Sequence, residues 1–170
     1  MEKWMDLSGK VMIVTGGSQG IGEHVVKTLR NNGAAVVVAD LRNNETFEKD
    51  ENIFFVECNV ADKKSVDSMM EQVIKKYGKI DGLLNNAGVS RPRLLVDFYG
   101  KRPEYELSEE DFDFMVNVNQ KGVFLCSQAA ARYMIKQKSG VIVNMSSEAG
   151  MQGSKGQSCY SGTKGAVLSY

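Results

Sequence analysis

Five short apolar runs alternate with longer amphipathic stretches, and this alternation limits the fold more than any other feature of the chain. Residues 11–14, 35–39, 53–58, 82–84 and 141–145 are too short for buried helices and read as strands. Residues 21–31 read as a helix with Ile21, Val25, Val26 and Leu29 on one face, and Gly33 as its stop. Asp62 reads as the N-cap of a second helix, whose Val66, Met69, Met70, Val73 and Ile74 form an apolar stripe. Ser108, with Asp111 three residues on, reads as a capping box with Asp in place of Glu, opening one long helix to about Lys136. A last helix opens around Ser158 and runs to Tyr170. Strands and helices in this rhythm call for parallel pairing with right-handed crossovers. The expected fold is α/β, a doubly wound parallel sheet built by residues 1–170 as a single domain.

Composition excludes several classes of function. The 21 lysines and arginines balance the 21 aspartates and glutamates, so no global field favours nucleic acid or a membrane surface. The first ten residues carry charges and lack the apolar run of a signal peptide or membrane span. Cys58, Cys126 and Cys159 are odd in number and form no CxxC pair, which suits free thiols in a cytoplasmic protein. No His, Cys and carboxylate set has metal-ligand spacing, so no metal is expected. His24 is expected at the surface, and Cys159 as a small buried residue.

Residues 90–107 break the alternation. Both prolines of the chain, Pro92 and Pro103, fall there with Arg91, Arg93, Lys101 and Arg102. Periodic elements resume on either side, so the stretch reads as a functional loop rather than a linker.

Thr15-Gly16-Gly17-Ser18-Gln19-Gly20-Ile21-Gly22 joins the first strand to the first helix. Glycines there let the backbone approach a pyrophosphate, whose charge the helix N-terminus stabilises. A tight strand-to-helix turn explains the glycines equally well by itself. Asp40 lies at the end of the second strand, 20 residues after Gly20. A carboxylate there accepts from both adenosine ribose hydroxyls and repels a 2′-phosphate, which favours NAD over NADP. Arg42 argues the other way, since an arginine can accommodate that phosphate.

A second motif is independent of the first. Tyr160-Ser161-Gly162-Thr163-Lys164 opens the last helix, and positions i and i+4 share a helix face. A phenol in water ionises near pH ~10. A neighbouring ammonium favours the phenolate, which is what a general base near neutrality requires. Ser147 stands 13 residues before Tyr160, Asn119 a further 28 before Ser147, and Asn85-Asn86-Ala87-Gly88 closes the fourth strand.

In order and spacing, this set resembles the short-chain dehydrogenase/reductase family across nearly the whole chain, with the glycine loop in its T-G-x-x-x-G-x-G form. The resemblance implies a Rossmann-type fold in which Tyr160 takes the proton of a substrate alcohol or returns it to a ketone. It implies that Lys164 favours the ionised phenol and holds the nicotinamide ribose, that Ser147 hydrogen-bonds the reacting oxygen, and that Asn119 binds a water that relays the proton. It also implies cofactor contacts from Gly16, Ser18, Gln19, Gly20, Ile21, Gly22 and Asp40. Asn59, Val60, Asn86, Ala87 and Gly88 join them, with Tyr160 and Lys164. Asn59 stands where the family usually has Asp. Ser146 is the rival to Ser147, and the spacing favours Ser147.

Pro92-Arg93-Leu94-Leu95-Val96-Asp97, Asn119-Gln120-Lys121-Gly122, Ser146-Ser147-Glu148-Ala149-Gly150 and Gly156-Gln157-Ser158-Cys159-Tyr160 are similar to bacterial sorbitol-6-phosphate 2-dehydrogenases. That likeness implies NAD-linked interconversion of sorbitol 6-phosphate and fructose 6-phosphate. Arg91, Arg93 and Lys155 then join Ser147 as candidate substrate contacts, since a guanidinium binds phosphate bidentately. The other reading of these cations is solvated loop charge. Alternative substrates within the family are a 3-oxoacyl thioester or a gluconate-type polyol. Family members typically continue through two more strands and assemble as homo-oligomers. The end at Tyr170 therefore implies absent C-terminal strands, and a non-catalytic nucleotide-binding fragment is the reading from a different class.

Overall fold

A computed structural model describes residues 5–170; part of the expectation for the first ten residues, at 1–4, lies outside the described residues. The apolar runs become β1 (Val11–Thr15), β2 (Ala35–Asp40), β3 (Ile53–Glu57), β4 (Gly82–Asn85) and β5 (Val141–Asn144). They form one parallel sheet in the order β3-β2-β1-β4-β5, with Val14 paired to Val38 on one side and to Leu84 on the other. The connections are α1 (Gly20–Asn31), α2 (Lys63–Tyr77), α3 (Glu109–Met115) and α4 (Gly122–Gln137), followed after β5 by α5 (Ala149–Gln152) and α6 (Ser158–Leu168).

Alternate strand residues point to opposite faces, and each face has its own core. Ile13, Val37, Ala39 and Val56 pack with Val66, Met69, Met70 and Val73 of α2 and with Cys126 and Ala130 of α4. Val14, Val36 and Val38 pack with Val26 of α1 on the other face. Burying an aliphatic side chain of this size contributes roughly 1.5–3 kcal/mol. Asp62 caps α2 by accepting from the Lys64 amide, and Gly78 ends it in the left-handed conformation. The fold is therefore the doubly wound sheet expected, with helices on both faces.

Four local expectations are corrected. Ile21 shares the apolar stripe of α1 in sequence but is 66 % exposed, because it sits on the first turn beyond the sheet and faces a cleft. The single long helix is interrupted by a π turn, Val116–Lys121, that carries Asn119. Only half of the capping box forms: Ser108 Oγ accepts from the Asp111 amide, while the Asp111 carboxylate turns to two arginines. The last helix ends at Leu168, with Ser169 as its C-cap, rather than continuing to Tyr170.

The three cysteines are free and buried, and His24 is exposed. Among the described residues no helix is long and apolar enough to cross a membrane, and no three His, Cys, Asp or Glu side chains cluster as metal ligands.

Candidate active site

In an open α/β sheet, ligands bind beyond the carboxyl ends of the strands, where the strand order reverses. Here that point lies between β1 and β4. A cleft of about 730 Å³ opens there, walled by the turns that follow β1, β2, β3 and β4. Ten of the expected cofactor contacts line it: Gly16, Gln19, Ile21, Gly22, Asp40, Asn59, Val60, Asn86, Ala87 and Gly88. Ser18 and Gly20 belong to the same turn without forming the wall.

The close approach of backbones explains two of the glycines. Gly16 has φ +64° and a Cβ there would lie 2.8 Å from Ala87 Cα. A Cβ on Gly22 would lie 2.1 Å from the Gly16 carbonyl oxygen. Thr15 and Asn86 lock these turns together. Thr15 Oγ1 accepts from the Asn86 and Ala87 amides, and Asn86 Nδ2 donates to the Thr15 and Gly16 carbonyls at 3.0 Å each. Gln19, the N-cap of α1, makes no side-chain cap, so the opening amides of the helix remain available to an anion. Asp40 accepts from the Ser18 amide (3.0 Å) and the Leu41 amide (2.7 Å), which fixes its carboxylate on the cleft wall. Asn44 Nδ2 donates to the Ser18 carbonyl and steadies the loop from the far side. Asn59 Oδ1 accepts from the Ala61 amide, and Asn59's own amide donates to Ser65 Oγ. Arg42 is exposed and does not line the cleft. The cradle, the free helix terminus and the oriented carboxylate together fit a dinucleotide.

Beyond the Gly88 end of the cleft, the helix carrying Tyr160 and Lys164 meets the π turn without itself lining the cleft. Asn119 has no exposed surface. Its Oδ1 accepts from the Val89 amide (2.8 Å), and its Nδ2 donates to the Val89 carbonyl (2.8 Å) and to Thr163 Oγ1 (3.1 Å). Thr163 Oγ1 in turn donates to the Tyr160 carbonyl. The Asn119 side chain is thus committed to the protein, so a relay water would be held elsewhere than on its amide. A widened turn is the common price of aiming one helix residue inward, and such turns recur at functional sites.

Lys164 is 4 % exposed, and its Nζ donates to the Met145 carbonyl at 2.6 Å. Burial pushes the Lys164 ammonium below its ordinary range. The Nζ lies 6.0 Å from the centre of the Tyr160 ring, and Gly88 leaves room beside it, since a Cβ there would lie 3.5 Å away. Ser146 and Ser147 have different tasks. Ser146 Oγ donates to the Lys164 carbonyl, while Ser147 Oγ accepts only the Ala149 amide that opens α5. Helices α5 and α6 cross closely enough that a Cβ on Gly150 would lie 2.7 Å from the Lys164 carbonyl carbon.

Neither Arg91 nor Arg93 is free. Arg91 Nη1 pairs with Asp111 Oδ1, and Arg93 Nε lies 2.9 Å from Asp111 Oδ2. The hydrogen bond from Arg91 and the charge of Arg93 hold the Asp111 carboxyl below the usual carboxylate range. Lys155 stands exposed in the turn before α6, outside the cleft wall. The structure also adds residues that sequence reasoning missed. Phe114, Asn117, Val118 and Lys121 line the cleft from one face, a spacing of three and four residues that was legible in retrospect.

A family model described as short chain dehydrogenase matches residues 10–170. The chain belongs to the short-chain dehydrogenase family. Members of this family take a nicotinamide cofactor, in keeping with the dinucleotide fit of the cleft. The chain is 46 % identical over 170 residues to sorbitol-6-phosphate 2-dehydrogenase of Klebsiella pneumoniae, covering 100 % of this chain and 64 % of that relative. It is 38 % identical over 171 residues to a 3-oxoacyl-[acyl-carrier-protein] reductase of Thermotoga maritima, covering 96 % of this chain and 66 % of the relative. It is 39 % identical over 168 residues to (+)-borneol dehydrogenase 2 of Salvia officinalis, covering 95 % and 57 %. The chain therefore spans somewhat less than two thirds of the length of these relatives.

Proposed function

We propose that this short-chain dehydrogenase is NAD-dependent and interconverts a secondary alcohol and a ketone, with sorbitol 6-phosphate and fructose 6-phosphate as its substrate pair. The observation that carries the reading is the adjacency of two features: the Asp40-walled dinucleotide cradle, and the buried Lys164 beside Tyr160, whose Nζ neighbours Gly88 of the cradle wall. The proposed cofactor contacts are Gly16, Ser18, Gln19, Gly20, Ile21, Gly22, Asp40, Asn59, Val60, Asn86, Ala87, Gly88, Tyr160 and Lys164. Asp40 favours NAD, because its carboxylate accepts hydroxyl hydrogens and repels a 2′-phosphate.

A bound nicotinamide supplies the acceptor or donor for the hydride on the carbinol carbon. The residues of the chain handle the proton. In oxidation, Tyr160 as phenolate takes the hydroxyl proton, and in reduction the Tyr160 O–H returns it to the carbonyl oxygen. The Lys164 ammonium favours the phenolate through its charge. Ser147 Oγ, whose bond to the Ala149 amide leaves its own hydrogen free, donates to the reacting oxygen. Asn119 positions the helix of Tyr160 through Thr163.

The Klebsiella relative supports a phosphorylated polyol as substrate. The Arg91–Asp111–Arg93 group supports it too, because two guanidiniums around one carboxylate leave one positive charge in excess. Arg91, Arg93, Ser147 and Lys155 are the proposed substrate contacts. The Thermotoga relative favours a second reading, reduction of a 3-oxoacyl thioester. A cytoplasmic setting agrees with three free thiols, and a homo-oligomer is the proposed assembly. The test is turnover with NAD⁺, comparing sorbitol 6-phosphate with a 3-oxoacyl thioester plus NADH. Sorbitol 6-phosphate is expected to react, and Tyr160→Phe to lose at least a hundredfold in kcat. Reaction of the thioester alone would move the substrate assignment to the second reading.

A further inference from the structure

Asp111 is 7 % exposed, although it is a carboxylate in the first turn of α3, where a solvated position would be ordinary. Its two oxygens hold different arginines, Arg91 and Arg93, which flank Pro92 at the start of the 90–107 loop. That loop is tied at its base by its own backbone. The Leu94 amide donates to the Tyr105 carbonyl and the Leu107 amide to the Leu94 carbonyl. The Arg93 amide then donates to the Gly156 carbonyl at 2.7 Å, and Arg93 pairs with Gln157 as an isolated parallel bridge. Gly156 and Gln157 are the lead-in to α6, which carries Tyr160. Arg91 meanwhile lies 4.3 Å over the ring of Phe114, which forms part of the cleft wall.

We infer that Asp111 is a positioning residue: its carboxylate pins the 90–107 loop through Arg91 and Arg93, and so sets the wall of the substrate pocket against the lead-in to the Tyr160 helix. A buried carboxylate between two guanidiniums gives a directional, charge-assisted fork on each side. Removing it leaves two like charges close together at the start of the loop, tied to α3 there by the weaker contact of Arg91 with the Phe114 ring. Asp111 itself does not line the dinucleotide cleft and reaches it only through Arg91 and Phe114, so its loss acts chiefly on the substrate side.

Asp111→Asn keeps the shape and removes the charge. Hydrogen exchange on the whole chain is expected to show the Arg93, Leu94 and Leu107 amides exchanging at least tenfold faster, with β1 and β4 amides unchanged within twofold. The Kd for NADH is expected to stay within twofold, and Asp111→Glu to restore most of the protection. In turnover, KM for the polyol should rise tenfold or more with kcat changed less than threefold. Should Asp111→Asn not fold, Arg91→Gln removes one arm from the partly exposed side, and the same amides should exchange at least threefold faster. Unchanged exchange at the three amides, or acceleration spread evenly over β1 and β4, overturns the inference. It rests on the proposed substrate only for the KM comparison. If the unaltered protein does not turn over sorbitol 6-phosphate, the exchange result still decides the clamp.

Discussion

Replacing Asn119 by alanine deletes three hydrogen bonds from a side chain with no exposed surface. The Val89 N–H and C=O both lose their partner, whereas Thr163 Oγ1 keeps its bond to the Tyr160 carbonyl. An orphaned buried polar group costs about 1–3 kcal/mol. Val89 borders the cleft, where water can partly replace what is lost, so the lower part of that range applies to each of its two groups. Adding a small residual cavity gives a total of about 3 kcal/mol. For a domain of this size, that corresponds to a fall in Tm of roughly 6–12 °C. Urea unfolding followed by circular dichroism measures the free energy, and a thermal scan gives the Tm. Asn119→Asp sharpens the test. Its carboxylate still accepts from the Val89 amide but faces the Val89 carbonyl, so this variant should gain stability relative to the parent as pH falls and the acid becomes a donor. A loss below 1 kcal/mol for Asn119→Ala, or no pH dependence for Asn119→Asp, would refute the view that this side chain is a structural clamp.

Gly22→Ala sets a Cβ against the Gly16 carbonyl oxygen and should weaken NADH binding at least tenfold, read by fluorescence titration. Arg93→Ala should raise KM for sorbitol 6-phosphate far more than for sorbitol, and equal effects on both would remove the phosphate role. Asp81 is half-sheltered, and burial alone would raise its pKa. The Val11 amide and the Lys79 ammonium outweigh that and hold the carboxyl below its ordinary value. A depressed carboxylate adds stability above its unfolded pKa and loses it as pH falls through the folded value. Asp81→Asn should therefore destabilise the fold by about 1–2 kcal/mol at pH 7. The gap to the parent should close below pH ~4 in acid-unfolding curves.

The five strands and the positions of the glycine loop, Asp40 and the Tyr160–Lys164 pair were legible because each rests on local periodicity or a short fixed spacing. What was not legible depends on tertiary partners. The apolar pattern over 109–137 is continuous, so nothing local marks the π turn at Asn119; its cause is Val89 and Thr163, distant in sequence. Ile21 fits the helical stripe, yet the sheet ends beneath it and leaves it to the cleft. Asp111 looked like half of a capping box because its arginine partners lie 18 and 20 residues upstream. The separate tasks of Ser146 and Ser147 emerge only once α6 is packed beside them. Gly150 carried a usable signal, since a glycine three residues after the serine pair permits a close helix crossing.

The central claim is that the cleft beyond β1 and β4 is an NAD site whose preference is set by Asp40. Titration of the chain with NADH and with NADPH, by cofactor fluorescence, tests it most directly. Saturable NADH binding at least tenfold tighter than NADPH is predicted, with the gap narrowed by Asp40→Ala. Absence of saturable NADH binding, or tighter binding of NADPH, would contradict it.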